Sequence, residues 1–183
     1  MNSPEEPGPG AAALRELVMP VVVVAARDGG EVSCATSTTA YVSVQPPILT
    51  VALAPGSRTA RLARRSGRFS VSVLAAGQAD VAQRAGRPAD GPDKLAAASL
   101  RPEQPPAGTD GPPGIEGTAA VLWCDVTDEV TAGDHQVFFG QVRVYRGAAG
   151  DPVEGAGLLL RHRRRYLGTG RPVTPPEADG YPV

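Results

Sequence analysis

Lysine is nearly missing from this chain: of 18 basic residues, Lys94 is the one lysine and the others are arginine. That skew reads as a compositional bias more than as a mechanism. Histidine is almost as scarce, with His135 and His162 alone, so a histidine-based triad or a multi-histidine metal site has little material. Two cysteines, Cys34 and Cys124, do not make a disulfide framework, and no second cysteine or histidine stands at ligand spacing from either. They read as small buried hydrophobes, and no metal site is expected. An excess of either charge is also lacking: the net value is −1, which provides no field to gather nucleic acid or an anionic membrane. The longest apolar run, residues 18–26, contains Pro20 and is far too short to span a bilayer. The acidic, proline-rich start "MNSPEEPGPG" is unlike a signal peptide. The expectation is a cytoplasmic protein with no membrane and no nucleic-acid partner. Phosphate-binding P-loops, G-x-G-x-x-G after a strand, G-x-S-x-G and H-E-x-x-H are absent too, which disfavours a nucleophile-plus-base enzyme.

What is present is organised as one domain, since 183 residues suffice for a single sizeable core. Glycine and proline gather in 1–10, 86–117 and 147–183. The division expected is a disordered arm over 1–10, a domain over 11–170 and a C-terminal tail over 171–183. Within the domain, 86–117 reads as a long Pro/Gly-rich loop, functional or a lid. Strands are predicted at "VVVVAA" (21–26), then past the turn "DGG" at "EVSCATST" (31–38), "ILTVAL" (48–53), "FSVSVL" (69–74), "TAAVLWCDVTDEV" (118–130) and "VFFGQVRVY" (137–145). Helices are few: 11–18, a segment after Ser57 that ends at Gly67, and 78–86. Six or seven strands against two or three helices argue for a mainly β barrel with a few peripheral helices.

Two features carry chemistry, each with a plainer reading beside it. Ser57 at a helix start leaves backbone N–H groups of residues 58–60, next to Arg58, as a phosphate seat; an ordinary cap on a surface helix reads the same way. The hydroxyl run Thr36, Ser37, Thr38, Thr39 suits polar contacts to a ring; a solvated strand face does as well. Together they would offer one ligand both ring contacts and a phosphate seat.

The stretch "CATSTTAYVSVQPPILTVALAPGSRTARLARRSGRFSVSVL" resembles the flavin reductase family of the FMN-binding split barrel. Further along, "PGIEGTAAVLWCDV", "AGDHQVFFGQVRVY" and "LLLRHRRRYLG" resemble its later strand, its G-D-H signature and its closing segment, in the same order from about residue 14 to 168. The resemblance implies a six-stranded FMN-binding split barrel, a homodimer, and hydride transfer from NADH or NADPH to FMN or FAD. It also implies a partner monooxygenase that receives the reduced flavin. On the same basis Ala35, Thr36, Ser37 and Thr38 would line the isoalloxazine edge, with Ser43 supporting that strand. Ser57, Arg58 and Thr59 would hold the phosphate. His135 would be the catalytic residue flanking the nicotinamide, and Arg163 or Tyr166 would close the pocket.

The chain departs from the family pattern at Ala35, Thr39, Ala40, Ser72 and Arg161. These departures motivate one alternative, a pathway enzyme that retains its flavin without free-flavin reductase activity; a further one is a non-enzymatic binding module that uses the 86–117 loop for a partner. The basic run "RHRRR" (161–165) reads as a solvated face or as a seat for a dinucleotide phosphate. Trp123 and Tyr145 read as core or interface residues.

Overall fold

The computed structural model describes residues 8–147 and 157–169. Most of the expected N-terminal arm and all of the 171–183 tail lie outside them. Where the arm is described, α1 (Pro9–Ala13) and a 3₁₀ turn (Leu14–Glu16) lead into β1 (Met19–Pro20). The barrel strands follow as β2 (Val22–Asp28), β3 (Glu31–Ser37), β4 (Thr39–Ser43) and β5 (Ile48–Leu53). Next come α2 (Arg58–Ser66), β6 (Arg68–Val73), α3 (Ala79–Gly86), α4 (Lys94–Ala97), β7 (Pro102–Glu103) and β8 (Gly114–Ile115). The chain then runs through β9 (Ala120–Ala132), β10 (His135–Arg146), β11 (Leu159–His162) and β12 (Arg165–Gly168).

The main sheet has seven strands in the order β3-β2-β6-β9-β10-β5-β4. It is mainly β as expected, with one strand more than the six-stranded barrel predicted. The addition is β4, which the Pro46-Pro47 turn folds back antiparallel onto β5. Between β3 and β5 no backbone ladder forms; the Ser37 hydroxyl bridges the gap by donating to the Ala52 carbonyl at 2.7 Å. The barrel is therefore split along that line. A smaller sheet, β1-β11-β12, is tied to the domain through Leu159, whose carbonyl accepts from the Val21 N–H at 2.9 Å and whose N–H donates to the Leu74 carbonyl at 2.8 Å.

The valine run explains the layering. Successive side chains of a strand face opposite sides, so Val22, Val24 and Ala26 enter the barrel interior with Phe69, Val71 and Phe138. Val21, Val23 and Ala25 instead meet Leu74, Val81, Ala85, Leu95 and Leu159 in a second core beneath α3 and α4. A strand buried on both faces needs apolar residues at every position, and "VVVVAA" supplies them. Helix α2 is more than peripheral: Ala60, Leu62 and Ala63 belong to the interior cluster. The helix is bounded as the sequence predicts, by the Ser57 cap accepting from Ala60 N at 3.2 Å and by Gly67 at φ 68°.

The 86–117 segment holds α4, β7 and β8 and is pinned along its length. Trp123 Nε1 donates to the Pro112 carbonyl at 3.0 Å and Ser70 Oγ to that of Pro113 at 2.8 Å, while the Ile115 N–H donates to Ser72 Oγ at 2.9 Å. Gly140 is required for a different reason: a Cβ there would meet the Phe69 ring and lie 2.9 Å from Cys124 Cβ. Both cysteines are free and buried, and burial pushes their thiols up to about 11 for Cys34 and about 12 for Cys124. They are inert at neutral pH.

Candidate functional site

Strand β3 is an edge of the main sheet, and its outer side forms one wall of a groove. The Val32 N–H donates to the Pro92 carbonyl and the Cys34 carbonyl accepts from Lys94, both away from β2. Backbone groups alternate in direction along a strand, so the N–H and C=O of Thr36 face the same open edge. Thr36 Oγ1 is bound to the Ala82 carbonyl of α3, which fixes the side chain and leaves the backbone as the contact surface.

Two adjoining cavities make up the groove, about 480 Å³ and about 500 Å³, and both are lined by Thr36, Ala52, Gly86 and His135. Their size is in the range of small-molecule and cofactor pockets. The first also takes in Ser37, Thr38 and Tyr166. The second takes in Ala35, Ser57, Arg58 and Lys94. The structure thus brings eight of the predicted residues to one groove: Ala35, Thr36, Ser37, Thr38, Ser57, Arg58, His135 and Tyr166.

At the second cavity, α2 begins with N–H groups of Arg58 and Thr59 that have no acceptor within the helix. The Arg58 guanidinium donates to the Gly91 carbonyl and, at 3.5 Å, to that of Ala89. That tie draws the 86–93 segment over the helix start. Lys94 completes this end. It is 9% exposed, and its ammonium donates to the carbonyls of Cys34 at 2.7 Å and Ala85 at 2.8 Å. Burial holds its pKa below the usual lysine value. Two cations and a helix N-terminus line one cavity, an arrangement able to take an anion such as a phosphate.

His135 stands where the β9–β10 hairpin turns, after Gly133 at φ 59°. Its Nδ1 pairs with Asp134 Oδ1 at 2.7 Å. The same hydrogen bond holds the Asp134 carboxyl below its usual range. With Nδ1–H donated to that carboxylate, Nε2 is the acceptor left for a group in the groove.

Three predicted residues stand elsewhere. Ser43 lies on β4 beside an apolar groove with Tyr41 and Val44. Thr59 is buried with its hydroxyl paired to Ser33 Oγ at 3.0 Å, so only its backbone can serve the helix-start seat. Arg163 occupies the β11–β12 turn at φ 47° and pairs with Glu16 at 2.6 Å, outside both cavities. In its place Arg161 lines the first cavity, beside Tyr166. Lys94, Ala52, Gly86 and Gln83 are lining residues to which the sequence did not point, whereas Arg161 entered there only within the basic run 161–165 and as a departure from the family pattern. For Lys94 the available signal was its singularity, a lone ammonium in an arginine-rich chain.

A flat ligand with a polar edge and a phosphate fits these donors: backbone groups of β3 for the edge, the α2 terminus with Lys94 and Arg58 for the charge. Comparison with known proteins identifies the family. The flavin reductase like domain family matches residues 14–170. The chain is 33% identical over 147 residues to HsaB of Mycobacterium tuberculosis, the reductase subunit of a flavin-dependent monooxygenase, covering 80% of this chain and 73% of that one. It is 32% identical over 165 residues to an NADH:riboflavin 5'-phosphate oxidoreductase of Streptomyces pristinaespiralis, covering 89% and 88%. It spans 40% of the length of a Rhizobium meliloti relative matched at 34% identity over 130 residues. Among solved structures, a nitrilotriacetate monooxygenase component B homologue from Mycobacterium thermoresistibile superposes with a TM-score of 0.77 at 26% identity, covering 91% of this chain and 89% of the other.

Proposed function

The chain belongs to the flavin reductase like domain family, and we propose that it transfers hydride from NADH or NADPH to FMN or FAD and passes the reduced flavin to a partner monooxygenase. The observation that carries this reading is the continuity of the groove: the β3 edge, the α2 terminus and His135 share its walls. The flavin supplies the redox chemistry, taking up a hydride and a proton as the nicotinamide is oxidised. The protein's task is to bind, orient and exclude water.

Thr36 offers its backbone N–H and C=O to the polar edge of the ring system. Ala35 and Ser37 shape the same wall, and the small side chain at Ala52 leaves room opposite. The N–H groups of Arg58 and Thr59, with the Lys94 ammonium, neutralise the phosphate. Ser57 shapes that seat by capping the helix, so that its free N–H groups point outward. His135 accepts a hydrogen bond from the nicotinamide side through Nε2 and orients it. Tyr166 closes the other end.

A homodimer is supported by an apolar surface that the fold leaves uncovered. Tyr41, Val44 and Tyr145 are 80%, 78% and 69% exposed, and they flank a groove with Pro47, Leu122 and Val142. A second copy of this chain is the proposed cover. Among the described residues no helix is long and apolar enough to cross a membrane; the cytoplasm, where reduced nicotinamide is produced, is the proposed place of work. The test is direct: purified protein with FMN or FAD should oxidise NADH or NADPH. No oxidation with any pairing overturns the reductase reading.

A further inference from the structure

Arg161 is the feature of the groove that the reading above does not use. It sits on β11 in register with Met19 of β1 on one side and Tyr166 of β12 on the other, and all three line the first cavity. Its guanidinium carbon lies 6.0 Å from the centre of the Tyr166 ring, which supports the planar fork from beneath.

Among the described residues no carboxylate pairs with Arg161, although acids stand nearby. Glu16 is engaged by Arg163 and His162, Asp134 by His135 and Asp80 by Arg84. None of these acids lines the first cavity, whose other polar side chains include Gln83 and the β3 hydroxyls. Among the described residues this cavity wall therefore carries one arginine and no carboxylate. It lies at the opposite end of the groove from Lys94 and Arg58, across the shared stretch of Thr36, Ala52, Gly86 and His135. The groove thus has two cationic ends, and a single phosphate occupies only one of them.

We propose that Arg161 is a specificity-determining residue that pairs with the 2′-phosphate of the hydride donor, so that this chain prefers NADPH to NADH. This rests on the reductase reading. A 2′-phosphate is a monoester with close to two negative charges at neutral pH. The arginine fork matches it with two parallel hydrogen bonds, which a ribose hydroxyl cannot return. An arginine near the ribose is a general means of accepting that group.

The test compares kcat/KM for NADPH and NADH, at saturating FMN, in the wild type and in Arg161→Gln, Arg161→Lys and Arg165→Gln. Wild type should favour NADPH. Arg161→Gln should lower kcat/KM for NADPH about 10- to 100-fold and for NADH by less than about threefold. Arg161→Lys should recover part of the loss, and Arg165→Gln, which alters an exposed charge outside the cavities, should leave the ratio unchanged. Calorimetric titration with 2′,5′-ADP and 5′-ADP gives a readout independent of turnover: the wild type should bind the former more tightly, and Arg161→Gln should not. A wild-type preference for NADH, an equal loss for both nucleotides, or no preference for 2′,5′-ADP overturns the assignment. Failure to oxidise either nucleotide removes the reductase reading, and the ADP titration still decides what Arg161 binds.

Discussion

Replacing Lys94 by methionine tests whether one buried ammonium holds the mouth of the groove. The native Nζ bonds the Cys34 carbonyl on β3 at 2.7 Å and the Ala85 carbonyl at the end of α3 at 2.8 Å. Methionine keeps much of the stem but has no donor. Two carbonyls then lose their partner, at about 1–3 kcal/mol for each that stays dry. Relief from burying a charge offsets part of this, and the net loss expected is about 2–3 kcal/mol. For a domain of this size that lowers Tm by about 4–12 °C. Scanning calorimetry measures it, and an FMN titration of the same variant should show weaker binding. A pH series adds a sign. Burial lowers the Lys94 pKa below the ordinary lysine value, so just below that value the unfolded chain binds more protons than the folded one. Wild-type stability should then rise with pH through this window, and the Lys94→Met curve should lack that rise. A Tm change under about 2 °C, with parallel pH curves, refutes the reasoning.

Gly140→Ala should be destabilising by about 1–3 kcal/mol or more, because the added methyl overlaps the Phe69 ring and Cys124 in the barrel interior; an unchanged denaturation midpoint would contradict that packing. Combining Ser57→Ala with Arg58→Gln should raise the flavin KM about tenfold or more through loss of the cap and of the tie to the 86–93 segment; an unaltered KM would remove the phosphate seat. Tyr145→Asp places a charge on the exposed apolar groove and should shift the protein to monomer in sedimentation analysis. A wild type that is already monomeric rejects that interface.

Much of the fold was legible because its signals are local. The valine run marks a strand, "DGG" the turn from β2 into β3, and Ser57 and Gly67 bracket α2. What escaped depends on distant partners. Strand β4 carries hydroxyls and Tyr41, a pattern shared with any solvated edge, and its pairing is decided by the turn into β5. Lys94 gives no periodic signal within a glycine- and proline-rich segment; its burial is set by a carbonyl 60 positions away. Arg163 and Arg161 trade places because Arg163 and Arg164 both take positive φ in the hairpin turn. A run of basic letters does not reveal where the strand ends, so the cation facing the cavity could not be told from its neighbours.

The gap between β3 and β5 bears on how such a protein would let go of what it binds. A fully laddered wall would have to shed several amide bonds in concert before a bulky planar guest could leave sideways. Here the fastening is the hydroxyl of Ser37 against Ala52, and rotating one side chain undoes it. If a guest were to leave along that margin, anchor points on the α2 terminus would not have to move with the latch.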